Sequence, residues 1–453
     1  MPVSPQAYRP AAKLLDLGPD LWDPVRAADF PQTVLRYRND RAAAEVGLSD
    51  LTDDEWLRHF GRFEPLPGTL PEPLALRYHG HQFRVYNPDI GDGRGFTFAQ
   101  MHDASERLMD LGTKGSGQTP YSRFGDGRLT LKGGVREILA TEMLEALNVP
   151  TSRTLSLIET GEALERGDEP SPTRSAVMVR LSHGHIRIGT FQRLAYYQDE
   201  ANMRRLVDYV LRELYREEPG EEPALRLLDF VIDRTARLAA RYMAAGFVHG
   251  VLNSDNINVI GESFDYGPWR FAPSWDVQFT AAYFDHAGLY AFGRQPEAIH
   301  WDLFQLAGSL RLLTESDPLI ALLEQFGPRF QGYVAEALLW RLGLKPRGEA
   351  EDRALVQSLE RALRDSGVEL HRFFHDAFAR PLPERYGEDW SEFRTLAAAY
   401  ESRKRRGAFF DGEPCGMLID EVEAIWAPIA ETDDWSRLHA KVEQVRAMGE
   451  ALR

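Results

Sequence analysis

Asp255, Asn256 and Asp265 are the residues of this chain whose types and spacing are best suited to chemistry. They lie in FVHGVLNSDNINVIGESFDYGP, residues 247–268, just after a long helical pattern whose end is marked by Gly246. Amide and carboxylate oxygens are hard donors, and an Asn and an Asp on either side of a short hairpin through Ile257, Val259 and Ile260 can converge on one Mg²⁺. Such a cation points to a nucleotide site.

Protein kinases hold their metal this way, with a catalytic-loop Asn and a DFG Asp. Asp265-Tyr266-Gly267 then reads as a DFG variant and Asn256 as the loop Asn. In the kinase His-Arg-Asp pattern, the Asp two residues after the His accepts the proton of the attacking hydroxyl. Val251 stands at that position and can accept nothing, whereas Asp255 puts a carboxylate beside the metal-ligating Asn. The loop keeps the cation and moves the base.

Further groups must be delivered to the same place. Residues 90–100 read as a Gly-rich turn entering a strand; Gly91, Gly93 and Gly95 let backbone N–H groups approach an anion, and Arg94 adds a guanidinium fork. A strand ending in Lys114 precedes a polar loop containing Asp126 and Gly127, which either reach a nucleotide or form an Asp-Gly turn. Val135, Ile138, Leu139, Met143 and Leu147 recur at helical spacing, which places Glu137 near the inner flank of a helix. A strand Lys facing a helix Glu aligns phosphates in kinases. Two strands around a charged 162–172 loop form a hairpin, the second bearing Arg180, with Arg187 after a short link. The two arginines bind polyphosphate or act as salt-bridge partners between lobes. His79 and His81, without a third nearby ligand, read as strand-face histidines rather than a metal pair.

Strands give way to helices after about residue 190. The fold expected is therefore α+β: a kinase-like bilobal plan with a strand-rich N-lobe, a helical C-lobe and a C-terminal helical extension. The divisions expected are 1–195, 196–326 and 327–453, with helices at 53–60, 353–364, 369–378, 390–400 and 435–452. The basic run at 403–406 reads as a solvated helix end. With 453 residues, 43% hydrophobic and 27% charged, the chain has an ordinary globular composition. Its net charge of −16 argues against an extended nucleic-acid surface. No apolar run is long enough for a bilayer, and the N-terminal residues lack a leader pattern. Cys415 is the one cysteine, which excludes an intramolecular disulfide and a Cys-based zinc cluster. The cytoplasm is the expected location.

Together, HGHQF at 79–83, GDGR at 91–94, KGSGQTPYSR at 114–123, Arg136-Glu137, VRLSHGHIRIG at 179–189 and HGVLNSDN…DYGP resemble the selenoprotein O family of kinase-like protein adenylyltransferases. The motifs span roughly residues 70–310, and the last hundred or so residues resemble the family least. The resemblance implies transfer of AMP from ATP, bound in reversed orientation, to Ser, Thr or Tyr hydroxyls of proteins. It implies Asp255 as proton acceptor and Asn256 and Asp265 as ligands of Mg²⁺, with Mn²⁺ as an alternative. Lys114, paired with Glu137, would bind phosphates; Gly91, Gly93, Arg94, Asp126, Gly127, Arg180 and Arg187 would complete the nucleotide pocket. Its implied partners are ATP and protein substrates bearing Ser, Thr or Tyr hydroxyls, with self-modification an open alternative. Two other readings remain: a small-molecule phosphotransferase, which wants a carboxylate where Val251 stands, and a non-catalytic nucleotide-binding scaffold.

Overall fold

The computed structural model describes residues 7–167 and 169–453; residues 1–6, read above for a leader, and Asp168 of the 162–172 loop lie outside them. One antiparallel sheet organises the first half. Its strands run in the order Trp22–Pro24, Leu74–Leu76, Thr97–His102, Leu108–Lys114, Thr173–Ser182, Arg153–Leu164 and Val34–Arg38. Arg9–Ala11 adds to the Thr97–His102 strand, and Leu129–Thr130 to Thr173–Ser182. Successive side chains on a strand point to opposite faces. Ala176 and Met178 accordingly join the core shared with Val135, Ile138 and Leu139 of the helix Leu131–Ala146. Val177, Val179 and Leu181 face a second core built on Trp56 and Phe60.

Residues before 70, in which the sequence shows no chemistry, supply three of these strands and the helices Asp40–Glu45 and Asp53–Gly61. The second helix starts where expected: Thr52 accepts from the Glu55 N–H, and the Glu55 carboxylate accepts from the Thr52 N–H at 3.0 Å.

The second half is helical, built around Pro223–Ala245, Gln295–Leu310 and Phe326–Leu342. Gly246, at φ 68°, ends the first of these in the left-handed conformation that glycine adopts without strain. It turns the chain into Phe247–Val248, which pairs with Arg270–Phe271 and brackets residues 249–269. The α+β, strand-rich-then-helical plan is thus observed.

Two local expectations are corrected. No hairpin joins Asn256 to Asp265. One arm bridges Arg187 through Asn258, the other bridges Thr151 through Ser263. Their backbone groups are consumed by the opposite lobe: the Ile188 N–H donates to Ile257 O at 3.0 Å and the Ser152 N–H to Ser263 O at 2.9 Å. The 403–406 basic run is not a solvated helix end either. Arg406 donates to the carbonyls of His375, Phe378 and Phe410, and Arg403 to those of Leu452 and Arg453. Carbonyls at helix ends have no partner within the helix, and these arginines supply it. A helix at Ile419–Thr432 was not among those expected; Pro428 inside it interrupts the sequence pattern. With Ser436–Leu452 it packs back on Leu131–Ala146, so Val422, Val445 and Leu452 share the core of Ile138 and Leu227.

Candidate active site

A cleft of about 790 Å³ lies between the sheet and the helical half, lined from the sheet side by Gly91, Gly93, Arg94, Lys114, Asp126 and Gly127. Arg180, Arg187, Val251, Asp255, Asn256 and Asp265 complete its lining. Glu137 stands one layer behind and is reached through its contact with the Lys114 ammonium. The residues read from the sequence as a site are thus brought together in space.

Asp265 is the electrostatic centre. Its Oδ1 accepts from Arg180 Nη1 at 2.5 Å and its Oδ2 from Arg187 Nη1 at 2.8 Å, with Lys114 Nζ at 4.0 Å. Burial alone would push its carboxyl up, but Arg180, Arg187 and Lys114 overcome this and hold it well below the usual range. Burial likewise lowers the Lys114 ammonium, against the opposing pull of Glu137. Arg187 also donates to the backbone carbonyl of Asp255 at 2.8 Å and to Asp92 Oδ1 at 3.2 Å. It therefore ties the Gly-rich turn, the loop of Asp255 and Asp265 to one guanidinium.

Asp255 differs from Asp265 in having a buried oxygen, Oδ1, with no hydrogen-bond partner among the described residues. Burial pushes its carboxyl up, Arg187 pulls it back, and the balance is about 6. The loop holding it is pinned by the hairpin of Gly80–Gln82 and Val85–Asn87. There the His81 N–H donates to Ser254 Oγ at 2.8 Å and the Phe83 N–H to Asn253 Oδ1 at 2.9 Å. His79 and His81 serve this hairpin: His79 Nδ1 meets the Tyr86 hydroxyl at 2.8 Å and His81 Nδ1 the Gln192 amide at 2.6 Å. Among the described residues no group of three or more His, Cys, Asp or Glu is arranged for a metal.

The donors do fit a hard cation that takes most of its shell from phosphate and water. Asn256 Nδ2 donates to Val251 O at 3.0 Å, which leaves the amide oxygen as its available donor atom, and Asp265 lines the same cleft. Arg94 is exposed and lines the cleft, so it is a cation available to an anion. Gly91 is explained by crowding: a Cβ there would lie 2.5 Å from the Tyr121 ring. Asp126 is engaged by Arg166 at 2.8 Å and accepts from the Arg128 N–H at 2.9 Å, which orders the loop at the cleft mouth.

The sequence reading missed a row of buried groups behind Arg180. Arg180 Nε donates to His185 Nε2 at 3.2 Å, and His185 Nδ1 donates to Asp110 Oδ2 at 3.1 Å. An arginine has no acceptor to offer, so His185 must carry its proton on Nδ1. Gly112 leaves the room: a Cβ there would lie 2.4 Å from His185 Nε2. The signal available was the HGHIR stretch between Arg180 and Arg187. Asp92 was likewise passed over within GDGR; burial pushes its carboxyl up despite Arg187.

The profile of the family described as "Protein adenylyltransferase SelO" matches residues 4–391, more than the stretch that carries the motifs. A "Protein nucleotidyltransferase YdiU" of Synechocystis sp. is 41% identical over 97% of this chain and 98% of that protein. Proteins of the same name from Synechococcus elongatus and Trichodesmium erythraeum are 42% and 44% identical, over 98% and 97% of this chain and 95% and 98% of theirs. Among solved structures, a Toxoplasma gondii rhoptry antigen kinase domain aligns at 12% identity and a TM-score of 0.30, over 59% of this chain and 83% of that one, too distantly for any inference. The chain belongs to the protein adenylyltransferase SelO family.

Proposed function

We propose that the chain transfers AMP from ATP to a Ser, Thr or Tyr hydroxyl of a protein and releases pyrophosphate. The observation that carries this is the separation of roles between two carboxylates of one cleft: Asp265 is neutralised by two arginines, while Asp255 keeps a buried oxygen free. Asp255 takes the proton of the incoming hydroxyl, whose oxygen bonds to the α-phosphorus as the bond to the bridging α–β oxygen breaks. Pyrophosphate carries away more charge than a single phosphoryl group. Arg180, Arg187 and Lys114 lie where they can meet that charge in a site shielded from water. Glu137 keeps Lys114 in place, and the Gly91–Gly93 turn with Arg94 supplies further anion contacts. Asn256 and Asp265 would hold Mg²⁺, or Mn²⁺ in its place, and the ion when bound neutralises phosphate oxygens and orients them.

The choice of AMP over phosphate rests on the family and on Val251, which puts no carboxylate where a kinase has its base. ATP labelled at the α or the γ position tests it with the purified chain and Mg²⁺. Label on protein from the α position alone is expected. Label from γ alone would make the chain a phosphotransferase, and binding without transfer would make it a scaffold.

A further inference from the structure

The C-terminal tail grips the helix that carries Glu137. Arg446 donates to both oxygens of Glu142, Nε to Oε2 at 2.8 Å and Nη2 to Oε1 at 2.5 Å. Its Nη2 also reaches the Tyr37 hydroxyl at 3.0 Å and Asn39 Oδ1 at 3.2 Å. Tyr37 and Asn39 in turn donate to Glu142 Oε1, at 2.7 and 3.4 Å. Glu142 is only 4% exposed, so two segments distant in sequence, residues 37–39 and the helix of Arg446, close on one buried carboxylate. Gly449, further along the Arg446 helix, permits the close approach: a Cβ there would lie 3.1 Å from the Cα of Ala146. At the other end of the Leu131–Ala146 helix, Lys132 pairs with Glu423 at 2.8 Å. The helix is held at both ends by residues that lie outside the 4–391 matched by the family profile.

Glu137 sits between these two grips. One of its oxygens meets Lys114, and the other is buried with no partner among the described residues. Among the described residues Lys114 is the one polar partner of this carboxylate, and the rest of its setting is packing around the helix. A helix moves along its axis as a stiff body, so a grip at Glu142 sets the position of Glu137. We propose that Arg446 is a positioning residue: it fixes the register of the Leu131–Ala146 helix and thereby seats Glu137 against Lys114 for nucleotide binding. This rests on the reading of Lys114 as a phosphate ligand.

The test uses the full chain, Mg²⁺ and a non-hydrolysable ATP analogue, with affinity by calorimetry and amide exchange over residues 131–146. Arg446→Ala is expected to weaken the analogue about tenfold and to speed exchange across that helix. In a Glu137→Gln background the same substitution should change affinity less than about twofold, because the seat it supports is already lost. Glu142→Gln, nearly the same shape, should reproduce the Arg446→Ala effect and takes its place if that variant does not fold. An equal loss in both backgrounds, or a loss with unchanged exchange over 131–146, would overturn the proposal. Affinity is read without turnover. A wild-type chain that binds the analogue but transfers no AMP would sink the proposed activity and leave this inference intact; one that binds no analogue would sink both.

Discussion

Arg180 Nη1 and Asp265 Oδ1 meet at 2.5 Å across the cleft, one from the central sheet and the other from the turn after the loop of Asp255 and Asn256. Arg187 takes the second oxygen of the same carboxylate. One aspartate is thus counter-ion to both arginines and neighbour to Lys114. On the proposed function, a triphosphate would compete with Asp265 for the guanidinium groups and would leave that carboxylate for a cation.

Asp265→Asn should therefore damage the ligand-free protein as well as the reaction. Removing one partner of a buried charge cluster costs about 3–5 kcal/mol. Calorimetric melting should show the loss, and inorganic triphosphate should restore part of it by replacing the missing negative charge. Transfer from Mg·ATP should fall at least about 100-fold. Near-normal turnover in this variant would refute the metal assignment.

Asp255→Ala should separate binding from chemistry. Loss of a positioned proton acceptor slows transfer by about 10²–10⁴. Asp255 holds Arg187 through its backbone carbonyl, which the substitution keeps, so affinity for ATP should stay near that of the wild type. Single-turnover transfer and equilibrium binding, measured side by side, decide it; weak binding with unchanged transfer would contradict the base role.

His185 is expected to act through Arg180. Substituting Phe removes the acceptor of Arg180 Nε and the donor to Asp110, both in a buried setting. The KM for ATP should rise about tenfold, with kcat less affected. Gly112→Ala should shift it in the same direction, since the added methyl would displace the imidazole. Steady-state kinetics check both, and an unchanged KM in the His185 variant would remove it from the site.

Asp302 gives a pH signature. It is 1% exposed, neither carboxylate oxygen has a partner among the described residues, and burial followed by the charge of Asp255 raises its carboxyl well above 3.8. The folded value lies above the unfolded one, so wild-type stability is lost as pH rises from 3.8 toward the folded value. Asp302→Asn should be more stable than wild type at pH 7 by about 1–3 kcal/mol, and the gain should shrink toward pH 4. Denaturant melts across that range test it. A gain independent of pH, or a loss at pH 7, would overturn the raised carboxyl.

Much of the site was legible because its parts are local. Lys114 closing a strand, Glu137 on the inner flank of a helix and the Asn256/Asp265 spacing each follow from periodicity and side-chain type. The hairpin expected between Asn256 and Asp265 failed because strand pairing is not local: the edges that claim that backbone come from Arg187 and Thr151. The helix Ile419–Thr432 was hidden by Pro428, and the Arg403 and Arg406 contacts by the fact that helix-end carbonyls come from other parts of the chain.

By itself the sequence determined which chemical groups the protein can bring to a nucleotide, and that Val251 cannot serve as a base. Residue types and short-range spacing are written in the chain directly. Only the tertiary structure decided that Arg180 and Arg187 share Asp265, that His185 and Asp110 stand behind them, and that a tail residue grips the Glu137 helix. Those relations join residues up to some 300 positions apart. They arise from how buried charges find partners once the sheet and helices have packed, and no local pattern encodes that.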